Sequence, residues 1–473
     1  MKFDFVVIGS GILGLTLTLE LARIASNAKI ALLDEKKINR TASLAAGAML
    51  SRYCETTKFS LDSETDHWKE RIRNRIIAAD YWESWRKTLA KLDYCAKSTV
   101  LFTNNCSNQL DADNLKAIQQ VMSTQGEQAL ELTEDEIELA PEYYARADRI
   151  VLVRNEPAIE ARQLLRSIFN ELGNFPNVCI VEKSVLSISE TSKNSFALAL
   201  QGGLNITASS ITVAAGAETT RIIDRSFPDL GKRIVPIISG NGAAITVSKI
   251  NPIKYVYRTP NRAFSCGLHA VPYSDAIYFG ATNTVQAMPS RAPIATDIGF
   301  IIDCVSSQIG KKWIEGEIEH FKHGNRPVSI DGFPVIGRTS IKNLWIYTGF
   351  YREGILMAPW ASSLLAKCII HDTSISAELS AYDPERKLIR THSYNQCIDH
   401  AVENFHAIAC ERGLRLPSTG NWTQDFLGSY RSISEAIYAR FEPHYRPPPD
   451  FLWDIHFGRL ESELKELIER REI

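Results

Sequence analysis

The stretch Phe3-Asp4-Phe5-Val6-Val7-Ile8-Gly9-Ser10-Gly11-Ile12-Leu13-Gly14 decides the fold. Phe3 to Ile8 is a short apolar, β-branched run of the kind buried on both faces of a parallel sheet. Leu15 to Ile24 follows with helical spacing and no breaker, and a second strand, Lys29 to Leu33, ends in Asp34. Together they make a βαβ unit with a GxGxxG at its first turn and an acid about twenty residues past the last glycine. Each position has a task. Gly9 permits the tight turn, Gly11 lets a pyrophosphate approach the backbone, and Gly14 lets helix and strand pack closely. The helix N-terminus offers free N–H groups and a positive dipole end to the phosphates. Asp34 would accept from a ribose hydroxyl pair, which disfavours a 2′-phosphate and hence NADP. The motif does not by itself separate NAD from FAD.

The 473 residues are 45% hydrophobic and 23% charged, with 53 Lys+Arg against 55 Asp+Glu and a net charge of −2. This excludes a disordered chain, a collagen and a coiled-coil rod. It leaves nucleic-acid binding without global electrostatic support. Nine scattered cysteines, none in a CxxC, read as reduced thiols of a cytoplasmic protein. No run of about 18 apolar residues suggests a spanning helix. The N-terminal apolar run leads into the glycine motif without a small-residue cleavage site, so no signal peptide is expected. The ten histidines show no HxH or HExxH spacing, and no metal site is expected.

Further along, Arg40-Thr41-Ala42-Ser43-Leu44-Ala45-Ala46-Gly47-Ala48-Met49-Leu50 is a small-residue loop against which a flat group could lie. Ile211 to Ala217 reads as a strand running into a small-residue turn, and Gly349 to Pro359 as a glycine loop opening a helix. These segments resemble the flavoprotein family of D-amino acid oxidase, glycine oxidase and sarcosine oxidase, the glycine oxidase branch most. Also similar are Tyr278 to Asn283, Arg326 to Arg338, Leu379 to Ile389, and Leu132 to Tyr143, which resembles a helix of the family and carries a capping box of Thr133 and Glu136. The likeness spans roughly residues 1 to 390.

The resemblance implies an α/β fold, with a doubly wound Rossmann-type FAD-binding domain and a second domain built on an antiparallel substrate sheet. It implies noncovalent FAD on Gly9, Gly11, Ile12, Leu13, Gly14, Asp34 and Glu35. Thr41, Ser43, Ala46, Gly47 and Met49 would line the isoalloxazine side, and Val185 would face the adenine. Ala215, Gly216, Arg352, Gly354, Ile355 and Leu356 would close the pocket. The FAD domain would comprise residues 1–60, 150–235 and 325–390, the substrate domain 61–149 and 236–324, with 391–473 a C-terminal helical extension.

Within the substrate domain, Trp68, Ile72, Ile76, Tyr81, Trp85 and Leu89 form an amphipathic helix whose aromatics read as core. Ile234 to Val247 and Tyr255 to Phe279 read as antiparallel strands. His269, Tyr255, Tyr257 and Tyr278 in them read as satisfied strand residues rather than substrate contacts. In the extension, Arg446-Pro447-Pro448-Pro449 reads as a stiff spacer. Leu460, Leu464, Leu467 and Ile468 form one stripe of a final helix, with Glu461–Lys465 and Glu466–Arg470 pairs beside it. Local packing of that stripe is the expectation. A dimer contact, a lid or a dock for a partner are the functional alternatives.

The chemistry implied is oxidation of an amine C–N bond by hydride transfer to flavin N5, hydrolysis of the imine, and reduction of O2 to H2O2. Arg326 and Arg352 are the catalytic candidates, because a substrate carboxylate in a dry pocket needs a guanidinium fork. The competing role for either is a salt bridge to Asp331, Glu353 or a neighbour. Asp331 itself reads as a turn residue before Gly332. Alternatives for the whole chain are a larger or carrier-bound amine, a dehydrogenase with another acceptor, and a non-enzymatic interaction module.

Overall fold

A computed structural model describes residues 1–35, 41–191, 195–262, 265–417 and 419–471. Arg40, quoted above in the small-residue loop, lies outside the described residues.

The opening run forms β1 (Lys2–Ile8), followed by α1 (Ile12–Ile24) and β2 (Ile30–Leu33). β1 pairs in parallel with β2 on one side and with the strand Asn205–Val213 on the other. The first sheet continues through Val178–Val181 at one edge and Leu344–Thr348 and Val335–Arg338 at the other. Alternation along β1 sends Val7 to one face and Val6 and Ile8 to the other, and both faces are covered. On the first lie α1, the helix Ala161–Leu172 and the helix Gly354–His371, crossed by the helix His67–Arg86. Gly354–His371 is the one helix among the described residues long and apolar enough to cross a membrane. Here it is largely buried against α1 and His67–Arg86.

The second sheet is mainly antiparallel and centres on Ile237–Ser248, which pairs with Ala276–Thr282, Thr284–Gln286 and Glu317–Ser329. Two strands cross the domain boundaries drawn from sequence. Ala147–Ala158 runs through residue 150 and Glu317–Ser329 through 325, and both belong to the second sheet. The helix His67–Arg86, placed by sequence in the substrate domain, buries Trp82 and Trp85 in the core under the first sheet. Leu132 to Tyr143 is not a helix. Its capping box forms, but only a single 3₁₀ turn, Glu134–Glu136, follows it. That turn buries no side chain, so nothing drives it to propagate.

The C-terminal segment is more than an appendage. Phe405, Ile437, Phe441, Phe451, Leu452 and Leu464 join one core with Val6, Ile8 and Val213 on the second face of the first sheet. Leu460 and Leu464 are fully buried, with Leu467 and Ile468 packed against the same cluster. The pairs Lys465–Glu461 and Arg470–Glu466 form on the outer side. Tyr445 donates to the Ile330 carbonyl at 2.6 Å, and Asp454 accepts from the Val285 amide at 2.7 Å.

Candidate active site

The turn after β1 is built as a phosphate cradle. Gly9 has φ of +109°, and a Cβ there would lie 2.4 Å from the Ala214 carbonyl oxygen. A Cβ on Gly14 would lie 1.8 Å from the Gly9 oxygen, so helix and turn touch backbone to backbone. Gly11 differs: its missing Cβ would meet only Ser43 Oγ, at 3.5 Å, which leaves room above it. α1 has no side-chain cap from Gly11. Ile12 N–H donates to Ser43 Oγ at 3.0 Å, while helix geometry gives Leu13 and Gly14 N–H no intrahelical acceptor. Ser10 Oγ is buried with no hydrogen-bond partner. An open cradle, an orphaned hydroxyl and free amides at a helix N-terminus fit the diphosphate of FAD.

From this turn the other expected contacts run as a strip. Asp34, half-buried, ends β2, with Glu35 exposed beyond it. Val185 opens a strand just past Val178–Val181, the strand paired with β2. Thr41 caps the short helix Ala42–Ala45, which holds Ser43 against α1. Beyond it the Ala45 and Ala46 carbonyls accept from Tyr278 at 2.9 Å and Tyr273 at 3.4 Å. A Cβ on Gly47 would stand 3.1 Å from the Tyr278 ring and 3.2 Å from His269 Nε2. Ala215 and Gly216 follow the strand Asn205–Val213, and Gly216 has open space where a side chain would stand. Its carbonyl accepts from Thr348 Oγ1 at 3.2 Å. Gly354, Ile355 and Leu356 are the first residues of the helix Gly354–His371.

His269 stacks on Tyr278 with centroids 5.6 Å apart. Its Nδ1 lies 2.9 Å from the Gly267 carbonyl, which can only accept, so Nδ1 carries the proton and Nε2 presents a lone pair toward Gly47. Burial, with the charge of Arg258, pushes His269 down to about 3, so the ring is neutral at physiological pH.

Both predicted arginines sit beside this strip. Arg326 Nη1 donates to the Thr282 carbonyl at 3.0 Å and to Asn283 Oδ1 at 3.4 Å. Its guanidinium fills the space over Gly242, where a Cβ would stand 2.2 Å from Nη1. Asn283 Nδ2 donates to the Tyr351 hydroxyl, which accepts from Arg352 Nη2 at 3.4 Å. A chain of two side chains thus joins the guanidinium groups. Of the acids that compete for the arginines, Asp331 and Glu353 are engaged elsewhere, whereas Arg352 forms a long ion pair with a neighbour, Asp450. Asp331 pairs with Arg386 at 3.0 Å, and Glu353 pairs with Arg71 at 2.8 Å and Arg75 at 3.4 Å. Asp331 also accepts from the Phe333 amide, in keeping with its place in the turn. Arg352 lies 3.9 Å from Asp450. Among the described residues, Arg326 pairs with no carboxylate.

Sequence reasoning missed a second cationic knot. Arg258, fully buried on the strand Val256–Arg258, donates to Glu55 and Ser51, both at 3.1 Å, and to Asn261 at 2.7 Å. Burial works against a charge on Glu55, but Arg258, with Arg352 and Arg75, holds its carboxyl below the usual range. A charged residue inside a run of strand aromatics was the available signal for Arg258, because an unpaired buried arginine is prohibitively costly. Nothing local marks Glu55.

A cavity of about 160 Å³ opens beside Tyr351 and Arg352. Arg326 and Asn283 lie outside it, so only one of the two predicted arginines faces this space.

Comparison with known proteins bears on the family and the fold. The family model described as DAO, FAD dependent oxidoreductase, matches residues 4–368. Bifunctional protein ThiO/ThiG of Nostoc sp. is 40% identical over 57 residues, 12% of this chain. The match spans 9% of that relative's length. Glycine oxidase from Geobacillus kaustophilus superposes with a TM-score of 0.67 at 20% identity, covering 82% of this chain and all of that one. Iminodiacetate oxidase from Chelativorans sp. BNC1 does so with a TM-score of 0.65 at 18% identity, over 81% of this chain and 100% of that one. At these identities the likeness to solved structures is one of fold. It supports the FAD-binding sheet plus substrate sheet expected from sequence.

Proposed function

The chain belongs to the DAO family of FAD-dependent oxidoreductases, and from that premise we propose that it oxidises the C–N bond of a carboxylate-bearing amine and passes the electrons to O2, releasing H2O2. When bound, FAD supplies the two-electron acceptor; the chain supplies grip, orientation and a dry site. The observation that carries the reading is the seat of Arg326. Its guanidinium lies in a niche left by Gly242, held from one side by the Thr282 carbonyl and Asn283, with no acid partner among the described residues. A substrate carboxylate completes that charge, and a fork gives it fixed orientation. Arg352, linked through Tyr351 and Asn283, provides a second cation on the same side. His269 Nε2, neutral and aimed at Gly47, is an acceptor for a substrate N–H and holds no proton to repel an amine. The neutral amine is the reactive form, so no strong general base is required.

The relatives named above support an amine or amino acid as substrate, since one oxidises glycine and another iminodiacetate by name. The test is anaerobic mixing of purified flavoprotein with glycine, sarcosine and a series of D- and L-amino acids, followed by admission of air. Bleaching of the visible flavin band by at least one of them, its return in air and stoichiometric H2O2 are the expected results. A flavin that no amine bleaches contradicts the reading.

A further inference from the structure

The cavity beside Arg352 is closed by a part of the chain that the family match, ending at residue 368, does not reach. From the body come Glu55, Phe59, Trp68, Phe333, Tyr351 and Arg352. From the C-terminal segment come His392, His400, Asn404 and the run Pro447-Pro448-Pro449-Asp450. The proline run, expected to be a spacer, is therefore cavity wall.

The two parts are locked together. Phe59 stacks on His392 with centroids 3.8 Å apart and meets His400 edge-on at 4.8 Å. Trp68 Nε1 donates to Thr391 Oγ1 at 3.3 Å, and Thr391 Oγ1 lies 2.8 Å from His392 Nδ1. His392 Nε2 donates to the Phe59 carbonyl at 2.8 Å. Asp450 stands 3.9 Å from Arg352 and accepts from Asn404 at 3.3 Å, with 40% of its side-chain surface open.

The charges around the cavity are largely spent on one another. Glu55 is with Arg258, Glu353 with Arg71, and Lys58 with Glu403. Beside Arg352 and Asp450, what remains for a ligand is largely apolar: prolines without donors, and aromatic rings suited to a flat or bulky group.

Building on the function proposed above, we infer that residues 391–473 are an integral wall of the substrate cavity. Asp450 is a positioning residue for Arg352, and Pro447–Pro449 with Phe59 and Trp68 receive a bulky, uncharged apolar substituent of the carboxylate-bearing amine.

The holoenzyme tests this with two inert carboxylates, phenylacetate and acetate, titrated against the flavin spectrum, and with phenylalanine against alanine (both enantiomers) in anaerobic flavin reduction. Wild type binds phenylacetate at least tenfold more tightly than acetate, and phenylalanine reduces the flavin at least tenfold more efficiently than alanine. Asp450→Asn weakens both carboxylates at least fivefold and raises KM more than it lowers kcat. Equal affinity for the two carboxylates with equal reduction by the two amino acids overturns the wall as a substituent site. Unchanged carboxylate affinity and KM in Asp450→Asn overturn the positioning role. Should that variant fail to fold, Asn404→Ala, which removes the donor to Asp450, is read the same way. If no amine reduces the flavin, the function proposed above fails, while the spectral titration with phenylacetate and acetate still decides the wall.

Discussion

Arg326 and Arg352 are joined across the site: Asn283 accepts from the first and donates to Tyr351, and Tyr351 accepts from the second. Asn283 and Tyr351 are thus the link between the two guanidinium groups. Replacing Asn283 by alanine removes both links. The loss of a hydrogen bond to a charged group costs about 1.5 kcal/mol, or roughly a tenfold rise in KM for the amine. Steady-state kinetics of Asn283→Ala check this, and an unchanged KM speaks against the coupling.

The turn after β1 separates folding from cofactor retention. Gly14→Ala places a carbon 1.8 Å from a backbone oxygen, so the expected result is loss of soluble, folded protein. A Cβ at Gly11 meets only Ser43 Oγ, at 3.5 Å, so Gly11→Val starts from open space and its branches crowd the place where a diphosphate would approach. It is expected to fold, by circular dichroism, and to purify colourless. A yellow Gly11→Val protein contradicts the placement of the diphosphate.

Removing residues 391–473 strips Phe405, Ile437, Phe441, Phe451, Leu452 and Leu464 from a core shared with β1. Six such side chains at about 1.5–3 kcal/mol each reach roughly 9–18 kcal/mol, comparable to the whole stability of a typical domain at about 5–15 kcal/mol. The truncated chain is therefore expected to aggregate rather than to retain small-amine turnover. A soluble, flavin-loaded product would show the segment to be dispensable.

Asp454 gives the segment a pH signature. Burial raises its carboxyl to about 7, while it accepts from Val285 N–H and lies 3.4 Å from Arg459. A folded-state value above the unfolded one means that the folded protein holds the extra proton. The contribution to stability is full below the unfolded value of about 4 and is lost as pH rises toward 7. Asp454→Asn keeps an acceptor for Val285 and removes the titration. Its melting temperature should fall less steeply than that of wild type between pH 4 and 7, and parallel curves would contradict the assignment.

What could be read from the residues alone follows the range of the forces involved. The spacing of Gly9, Gly11 and Gly14 between two β-branched runs is local chemistry, and the tight turn it predicts is the one the chain forms. Arg326 and Arg352 are candidates through the family resemblance of their two segments and the need of a substrate carboxylate for a guanidinium fork. The knot of Arg258 and Glu55 was not legible, because it joins residues 203 positions apart and only the fold brings them together. The proline run was misread for the same reason: composition gives its stiffness, but its role as a wall depends on the docking of Phe59 and Trp68 against His392 and Thr391. At Thr133 the capping box was correctly seen and the helix wrongly extended, since a cap without an apolar face to bury does not sustain further turns.

Arg326 is the proposed carboxylate anchor on which the proposed amine oxidation depends. The most direct measurement is the anaerobic rate of flavin bleaching by the best amino acid found and by the same amine lacking its carboxylate, in wild type and Arg326→Ala. A strong wild-type preference for the carboxylate-bearing amine, of about a hundredfold and collapsing in the variant, is the predicted result, because severing a close charge pair of this type costs about 2–5 kcal/mol. Equal rates for the two amines in wild type, or an undiminished preference in Arg326→Ala, would contradict it.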